Sequence, residues 1–313
     1  MDETVETVAT LYADHSRRYL LENRPFVSVY PVLSRRARGI SVGINLNLDK
    51  GCNFDCIYCQ VDRTTTLPAS SGGGLPLSRL PLPALVMEEL GQLFDTIATG
   101  AFFQKPPFDR VPPEFKRVRD IAFSGDGEPT LAPSFREILG TVRRFVNERS
   151  WGAEAPPLLR LITNGSGLFG REIRAAVRRS LLEEGPGEIW LKLDSGDRVH
   201  FDRINRSSLP FDRMTEGLDA IVSDTPVTLQ TMVLDFMAKG EPGAILADER
   251  FWTPLRDRVL SWSARGARIE SWHLYSVARP PAEEAVKRVP VERLEAWASE
   301  VRGLLPFPVL VFP

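Results

Sequence analysis

Apolar stretches of strand length alternate with stretches of helical spacing six times along this 313-residue chain. Residues 40–48, Ile-Ser-Val-Gly-Ile-Asn-Leu-Asn-Leu, alternate apolar with small or polar side chains, which predicts a strand. Further strands are expected over 119–123, 158–162, 189–193, 227–233 and 269–274. Helices are expected over 84–98, 134–148, 171–184, 211–223, 248–265 and 291–303. Gly185-Pro186 and Gly266 punctuate two of the helix ends. Residues 308–312 add a possible last strand. Strictly alternating strands and helices imply a parallel sheet, right-handed crossovers and helices packed outside it. In such α/β sheets ligands bind at the carboxyl ends of the strands.

The residues that follow each strand are therefore the informative ones. The first strand leads into Gly51-Cys52-Asn53-Phe54-Asp55-Cys56-Ile57-Tyr58-Cys59-Gln60. The second leads into Ser124-Gly125-Asp126-Gly127-Glu128-Pro129-Thr130. Thr163-Asn164-Gly165 follows the third, and Asp194-Ser195-Gly196-Asp197 the fourth. The fifth contains Gln230 and Thr231, and the sixth ends at His273-Leu274-Tyr275. Each of these alone reads equally as turn chemistry. Their coincidence on one rim, beside a cysteine loop, is the specific observation.

Cys52, Cys56 and Cys59 are the only cysteines in the chain. An odd number at such close spacing argues against a disulfide. A structural zinc site needs four closed ligands, and His15, His200 and His273 show no partner spacing to supply the fourth. Three thiolates from one loop can hold three irons of a cubane whose usual complement is four cysteines, leaving one iron open.

Composition narrows the remaining classes. A 43% hydrophobic content suffices for a sizeable core, and a net charge of −2 gives no global reason to bind nucleic acid or an anionic membrane. The pairs Arg17-Arg18, Arg35-Arg36, Arg143-Arg144 and Arg178-Arg179 read mostly as solvated helix faces. No run of about 18 apolar residues suggests a membrane span, and acidic residues 1–10 lack the apolar core of a signal peptide. Few cysteines point to a reducing cytoplasm. Val5, Val8, Leu11 and Tyr12 predict an amphipathic helix over 4–22, stopped by Pro25, with His15 at its surface. Residues 62–83 have linker composition around Ser70-Ser71-Gly72-Gly73-Gly74, and 100–113 form a Pro-rich insertion. The expected organisation is an N-terminal helical extension over 1–30, a main body over 31–303 and a tail or edge strand over 304–313.

Cys52, Cys56, Tyr58 and Cys59 resemble the CxxxCxΦC signature of the radical S-adenosylmethionine (SAM) enzymes, with the aromatic just before the last cysteine. The longer phrases at 51–60 and 124–131 resemble the subgroup near the wybutosine-synthesis enzymes and related iron–sulfur oxidoreductases, over roughly residues 31–302. The resemblance implies an α/β fold, a partial (β/α)6 TIM-like barrel. It implies one 4Fe–4S cluster on Cys52, Cys56 and Cys59, with SAM chelating the open iron. An electron from an external donor, flavodoxin- or ferredoxin-like, would cleave SAM to methionine and a 5′-deoxyadenosyl radical that takes a hydrogen atom from substrate.

Carried over by motif, Gly125, Asp126, Gly127, Glu128 and Pro129 correspond to the segment that receives the methionine ammonium, with Glu128 as the acid. Glycines let the backbone approach, and an ammonium wants acceptors. Thr163 and Asn164 correspond to a polar strand end near ribose or carboxylate, and Asp194 and Ser195 to the position that often reaches the ribose hydroxyls. Lys192, on the same strand face as Asp194, is a candidate for the SAM carboxylate. Gln230 lines the fifth strand. Tyr58 is a candidate for packing on adenine, or a plain core aromatic. Arg203, Arg206, His273, Tyr275 and Arg279 are candidates for substrate contact, against the plainer readings of a surface helix start for the arginines at 203 and 206 and a core histidine at 273. The wybutosine enzymes carry further cysteines for a second cluster, and this chain has none after Cys59. An RNA-modifying role remains an alternative that the net charge does not support, and a zinc-stabilised binding module is an alternative from another class.

Overall fold

The computed structural model describes residues 20–21, 24–34, 36–61, 82–152, 154–237, 247–278 and 283–312. The expected helix over residues 4–19 with its His15, the Ser70–Gly74 segment, and Arg279 with Pro280-Pro281 lie outside the described residues. The expected helix does not reach residue 22, because Leu20–Leu21 pairs antiparallel with Arg24–Pro25.

In chain order the main elements of the first half are β1 (Val29–Ser34), β2 (Gly39–Ile44), α1 (Leu82–Ala98), β3 (Val118–Phe123), α2 (Phe135–Glu148), β4 (Leu158–Thr163) and α3 (Arg171–Arg178). There follow β5 (Gly187–Lys192), α4 (Arg198–Ile204), α5 (Phe211–Asp224), β6 (Val227–Met232), β7 (Leu234–Phe236), α6 (Glu249–Ala264), β8 (Ile269–Tyr275), β9 (Val286–Arg288), α7 (Val291–Arg302) and β10 (Val309–Phe312). The fold is mixed α/β, and eight of these strands make a mostly parallel sheet that does not close on itself.

The alternation read from the sequence is present, with differences that have local causes. The first parallel strand ends at Ile44 rather than at residue 48. There the amide oxygen of Asn45 accepts the Asn47 N–H at 3.0 Å, and Lys50 N–H donates to the Asn47 carbonyl at 2.9 Å. These side-chain turns compete with the ladder and win. The edge strand β1 runs antiparallel to β2 and contains Pro31, which an edge tolerates. The helix begun at Arg171 gives way to a π-turn over Arg179–Glu183 instead of continuing to 184. Helix α4 lies where a surface helix start was the plainer reading of Arg203 and Arg206, and Asp197 caps it by accepting the His200 N–H at 3.0 Å. The short strands β7 and β9 pair antiparallel with each other.

The chain forms two compact units. The first comprises residues 1–51, 66–161 and 179–187. Its strands follow the order β4-β3-β2-β1, parallel except at the β1 edge. Helix α2 packs Phe135, Ile138, Leu139, Val142 and Val146 inward at helical spacing. Asp120 of β3 is fully buried and bonded to Ser41 and Arg160, so its charge is paired. Glu89 of α1 is equally buried, and accepts the backbone N–H groups of Val27, Ser28 and Val29 at 2.8, 2.9 and 2.8 Å.

The second unit comprises residues 52–65, 162–178 and 188–313. Its strands follow the order β10-β8-β6-β5, all parallel. The expected last strand is β10, in register with Trp272 to Tyr275 of β8. Trp252 of α6 stacks on Trp272 and Trp297, with ring centroids 5.4 and 4.8 Å apart, fixing two helices to the strand behind them.

Glu89→Ala leaves three backbone donors without their acceptor. The expected cost is roughly 3 kcal/mol, read as a lower urea midpoint; an unchanged midpoint would show that water replaces the carboxylate freely.

Candidate functional site

The cysteine loop belongs to the second unit, and its path there is set by main-chain bonds. Asp55 N–H donates to the Asn205 carbonyl and Ile57 N–H to the Ile204 carbonyl, both at 3.0 Å, so the loop caps the C-terminal end of α4. Ser208 N–H donates to the Asn53 carbonyl at 2.9 Å, and the Asn164 amide donates to Asn53 Oδ1 at 2.9 Å. Phe54 and Ile57 are buried, with the Phe54 ring edge-on to Phe201 at 5.8 Å. Cys59 N–H closes a turn onto the Cys56 carbonyl at 2.9 Å. The loop's apolar residues thus anchor it, while its three cysteines, none in a disulfide, are intermediate in exposure.

A buried carboxylate lies beside the loop. Asp194, at the carboxyl end of β5, accepts the Tyr58 hydroxyl at 2.5 Å, the Asn205 amide at 3.0 Å and the Met232 N–H at 3.1 Å. Lys192 Nζ stands 3.4 Å from the same carboxylate, donates to the Tyr275 hydroxyl at 2.5 Å and faces the Tyr58 ring at 4.8 Å. Strand alternation placed Lys192 and Asp194 on one face, and the structure brings them together with Tyr58 and Tyr275. Asn205, which the sequence reading did not single out, completes the group: its amide donates to Cys56 Sγ at 3.6 Å as well as to Asp194. No local signal marks it, because both partners are distant in sequence.

The charges shift one another. Burial, then the Asp194 charge, push the Cys56 thiol up to about 12 in the metal-free protein. Burial and Asp194 also hold the Tyr58 hydroxyl well above its ordinary value. Burial alone would lower the Lys192 ammonium, yet Asp194 and then Tyr275 hold it above its ordinary value, so it stays charged. Ser195 Oγ is buried and has no hydrogen-bond partner among the described residues. It lines a small cavity with Phe54, Asp194, Asn205 and Arg258.

The other expected residues divide into two sets. Thr163 Oγ1 accepts the Gly165 N–H at 2.9 Å, so it shapes its own turn. Gln230 bonds His273 Nδ1 at 2.7 Å, and Ser271 bonds His273 Nε2 at 3.2 Å. Both nitrogens of the buried His273 are bonded, and its ring meets Trp190 and Phe312 edge-on. Arg206 forms a two-pronged ion pair with Glu283 and lies 4.0 Å from Asp55, and Arg203 sits on the last turn of α4.

In the first unit, Gly125 has φ +138°, open to glycine alone, and a Cβ there would meet Asn45 Oδ1 at 2.7 Å. A Cβ on Gly127 would stand 2.0 Å from the Gly51 carbonyl oxygen. Asp126 Oδ2 accepts the Asn45 amide at 2.9 Å. Glu128 is buried and caps the turn Pro129–Leu131, accepting the Thr130 N–H at 3.2 Å and its hydroxyl at 2.5 Å. This segment presents close-packed backbone and a fixed carboxylate.

Among the described residues no group of three His, Cys, Asp or Glu side chains is placed to hold a metal ion. Two sulfurs already receive N–H donors, Cys52 from Phe54 N–H at 3.4 Å and Cys56 from Asn205. In the metal-free protein the protonated Cys56 thiol and Lys192 ammonium both favour the fold. The unfolded chain loses these protons at lower pH, so the Cys56 contribution is full below about pH 9 and vanishes as pH climbs through about 12, while that of Lys192 is lost only at higher pH. Metal-free protein is therefore expected to show a falling urea midpoint from pH 9 to 12, with a flatter profile for Cys56→Ala; identical profiles would refute the coupling.

No family model matches the chain. A UPF0026 protein of Methanocaldococcus jannaschii is 26% identical over 280 residues, 87% of this chain and 71% of that protein. The GTP 3′,8-cyclase of Mycobacterium marinum is 26% identical over 213 residues, covering 68% of this chain and 46% of the cyclase. The chain thus spans about half the length of the cyclase. The structure of TYW1 with a lysine-pyruvate adduct bound superposes with a TM-score of 0.55 at 14% identity, covering 98% of this chain and 91% of that one. Streptococcus suis SuiB bound to S-adenosylmethionine superposes with a TM-score of 0.50 at 10% identity, over 85% of this chain and 49% of that one. At such identities the likeness is one of fold. The chain is thus similar in sequence to a UPF0026 protein and to a GTP 3′,8-cyclase, and similar in fold to TYW1 and to SuiB.

Proposed function

We propose that the protein is a radical SAM enzyme that holds one 4Fe–4S cluster on Cys52, Cys56 and Cys59 and acts on a substrate still to be identified. The observation that carries this reading is the docking of the cysteine loop on the end of α4, with Cys56 bonded into the Asn205–Asp194–Tyr58 group. Held by Cys52, Cys56 and Cys59, such a cluster would supply the electron for reductive cleavage of bound SAM to methionine and a 5′-deoxyadenosyl radical.

The chain's own residues bind and orient. Ser195, buried without a partner among the described residues, and Asp194 beside it suit ribose hydroxyls, which both donate and accept. Lys192, kept as an ammonium, suits a carboxylate. Gly125 to Pro129 offer acceptors of the kind a methionine ammonium needs. Tyr58 gives its hydroxyl to Asp194 and leaves its ring face to Lys192, so it orders the charges rather than moving a proton. A lysine that attacks a carbonyl must be neutral; Lys192 is held charged, so the lysine–pyruvate chemistry named for TYW1 is not assigned to it.

A flavodoxin- or ferredoxin-like protein would deliver the electron, and three cysteines outside any disulfide suit a reducing cytoplasm. Among the described residues no helix is long and apolar enough to cross a membrane. The catalytic part would span 31–303, flanked by extensions at 1–30 and 304–313.

Anaerobic reconstitution is expected to load about four irons and the absorption of a cysteine-ligated cluster, and dithionite with SAM to yield 5′-deoxyadenosine. Cys56→Ala is expected to abolish the product while keeping the far-ultraviolet circular dichroism. One equivalent of zinc with no iron would replace this reading by the zinc-module alternative. Ser195→Ala is expected to weaken SAM binding several-fold, by equilibrium dialysis, since a hydroxyl hydrogen bond contributes about 1 kcal/mol.

A further inference from the structure

Cys56 differs from an ordinary loop cysteine in what its sulfur meets. The Asn205 side chain, only 2% exposed, has no route to solvent, so its two amide hydrogens must be spent inside the protein. One goes to Asp194 Oδ2 at 3.0 Å and the other to Cys56 Sγ at 3.6 Å. The backbone fixes the donor as firmly as the side chain does. Asn205 is the C-cap of α4, its N–H donates to the Phe201 carbonyl at 2.9 Å, and its own carbonyl receives the Asp55 N–H of the cysteine loop. Donor and sulfur are therefore held by the same clamp. The amide also stands between the Asp194 carboxylate and the Cys56 sulfur, a thiolate when it ligates iron, so without it the two would face each other with no donor between them.

Hydrogen bonds to the sulfurs, net charge and exposure set the reduction potential of a cysteine-ligated cluster. An N–H donor on a ligand sulfur stabilises the electron-rich reduced state more than the oxidised one. Resting on the cluster assignment made above, we propose that Asn205 is a positioning residue that raises the cluster's reduction potential, by donating to the Cys56 sulfur and holding Asp194 away from it. It would thereby bring the cluster within reach of a physiological reductant.

The test is an anaerobic redox titration of the reconstituted holoprotein without SAM, followed by the electron paramagnetic resonance signal of the reduced cluster. Asn205→Leu keeps the shape and removes the donor without adding charge; Asn205→Asp removes the donor and places a second carboxylate beside Asp194. The expected result is a lower midpoint in both variants. A tenfold lower ratio of reduced to oxidised cluster at a fixed potential corresponds to about 59 mV for a one-electron couple, and a shift of at least that order is expected for Asn205→Asp. Equal midpoints in wild type and in both variants, with iron content and signal intact, would overturn the proposal and leave the cluster assignment standing. A wild-type protein that takes up no iron and sulfide would overturn the cluster assignment, and the proposal with it. Should Asn205→Leu fail to fold, Asn205→Asp, nearly isosteric with asparagine, decides alone. Loss of iron loading with an unchanged midpoint in the loaded fraction would reduce Asn205 to a structural role.

Discussion

Asp194 is the constraint on which the second unit's polar chemistry depends. A carboxylate this deeply buried persists only if its charge is met on every side. It is met by a tyrosine and an asparagine side chain, one main-chain N–H and a lysine, drawn from the cysteine loop, from the C-cap of α4, from the last residue of β6 and from the end of β5. Satisfying one charge therefore fixes the relative positions of four pieces of chain that are far apart in sequence. The rest of the site follows from that: Tyr58 points where it does because its hydroxyl is needed there, and Lys192 stays protonated because its counterion cannot leave.

The two units carry unlike chemistry. The second holds charges and thiols. The first offers backbone: Gly125 and Gly127 lie so close to Asn45 and Gly51 that no side chain fits, and Glu128 is spent on its own turn. Buried charge in the first unit is structural. Asp120 with Arg160, and Glu89 with three N–H groups, are fully satisfied pairs that tie strands and helix together. Their residues lack the competing demands that distinguish Asp194, which serves a thiol-bearing loop as well as an ammonium.

Much of this was legible in the sequence, for physical reasons. The parallel strands carry long apolar runs bounded by turn residues, and a period of two puts Lys192 and Asp194 on one face. The cysteine spacing announces a metal loop whatever surrounds it. What escaped reading lacked a local signal. Helix α4 spans seven residues, too few for a periodicity to appear, and β1 hides behind Pro31. Asn205 reads as one polar residue in a polar stretch; its role exists only through contacts with Asp194 and Cys56. Gln230 and His273 both sat at strand positions that suggested ligand contact, yet they bond each other across adjacent strands, a register effect that single-strand patterns do not contain.

The manner in which the cysteine loop is fastened bears on how its sequence can drift. Asp55 and Ile57 are held through their N–H groups and Asn53 largely through its carbonyl, so most of the clamp ignores side-chain identity. Any residue other than proline satisfies the same bonds at 55 and 57, provided the Phe54 and Ile57 sites stay apolar. The register against α4, by contrast, is absolute: one residue inserted between Cys52 and Cys56 would shift every donor past its acceptor. A loop built this way tolerates replacement and rejects insertion, so its spacing is the part that cannot change.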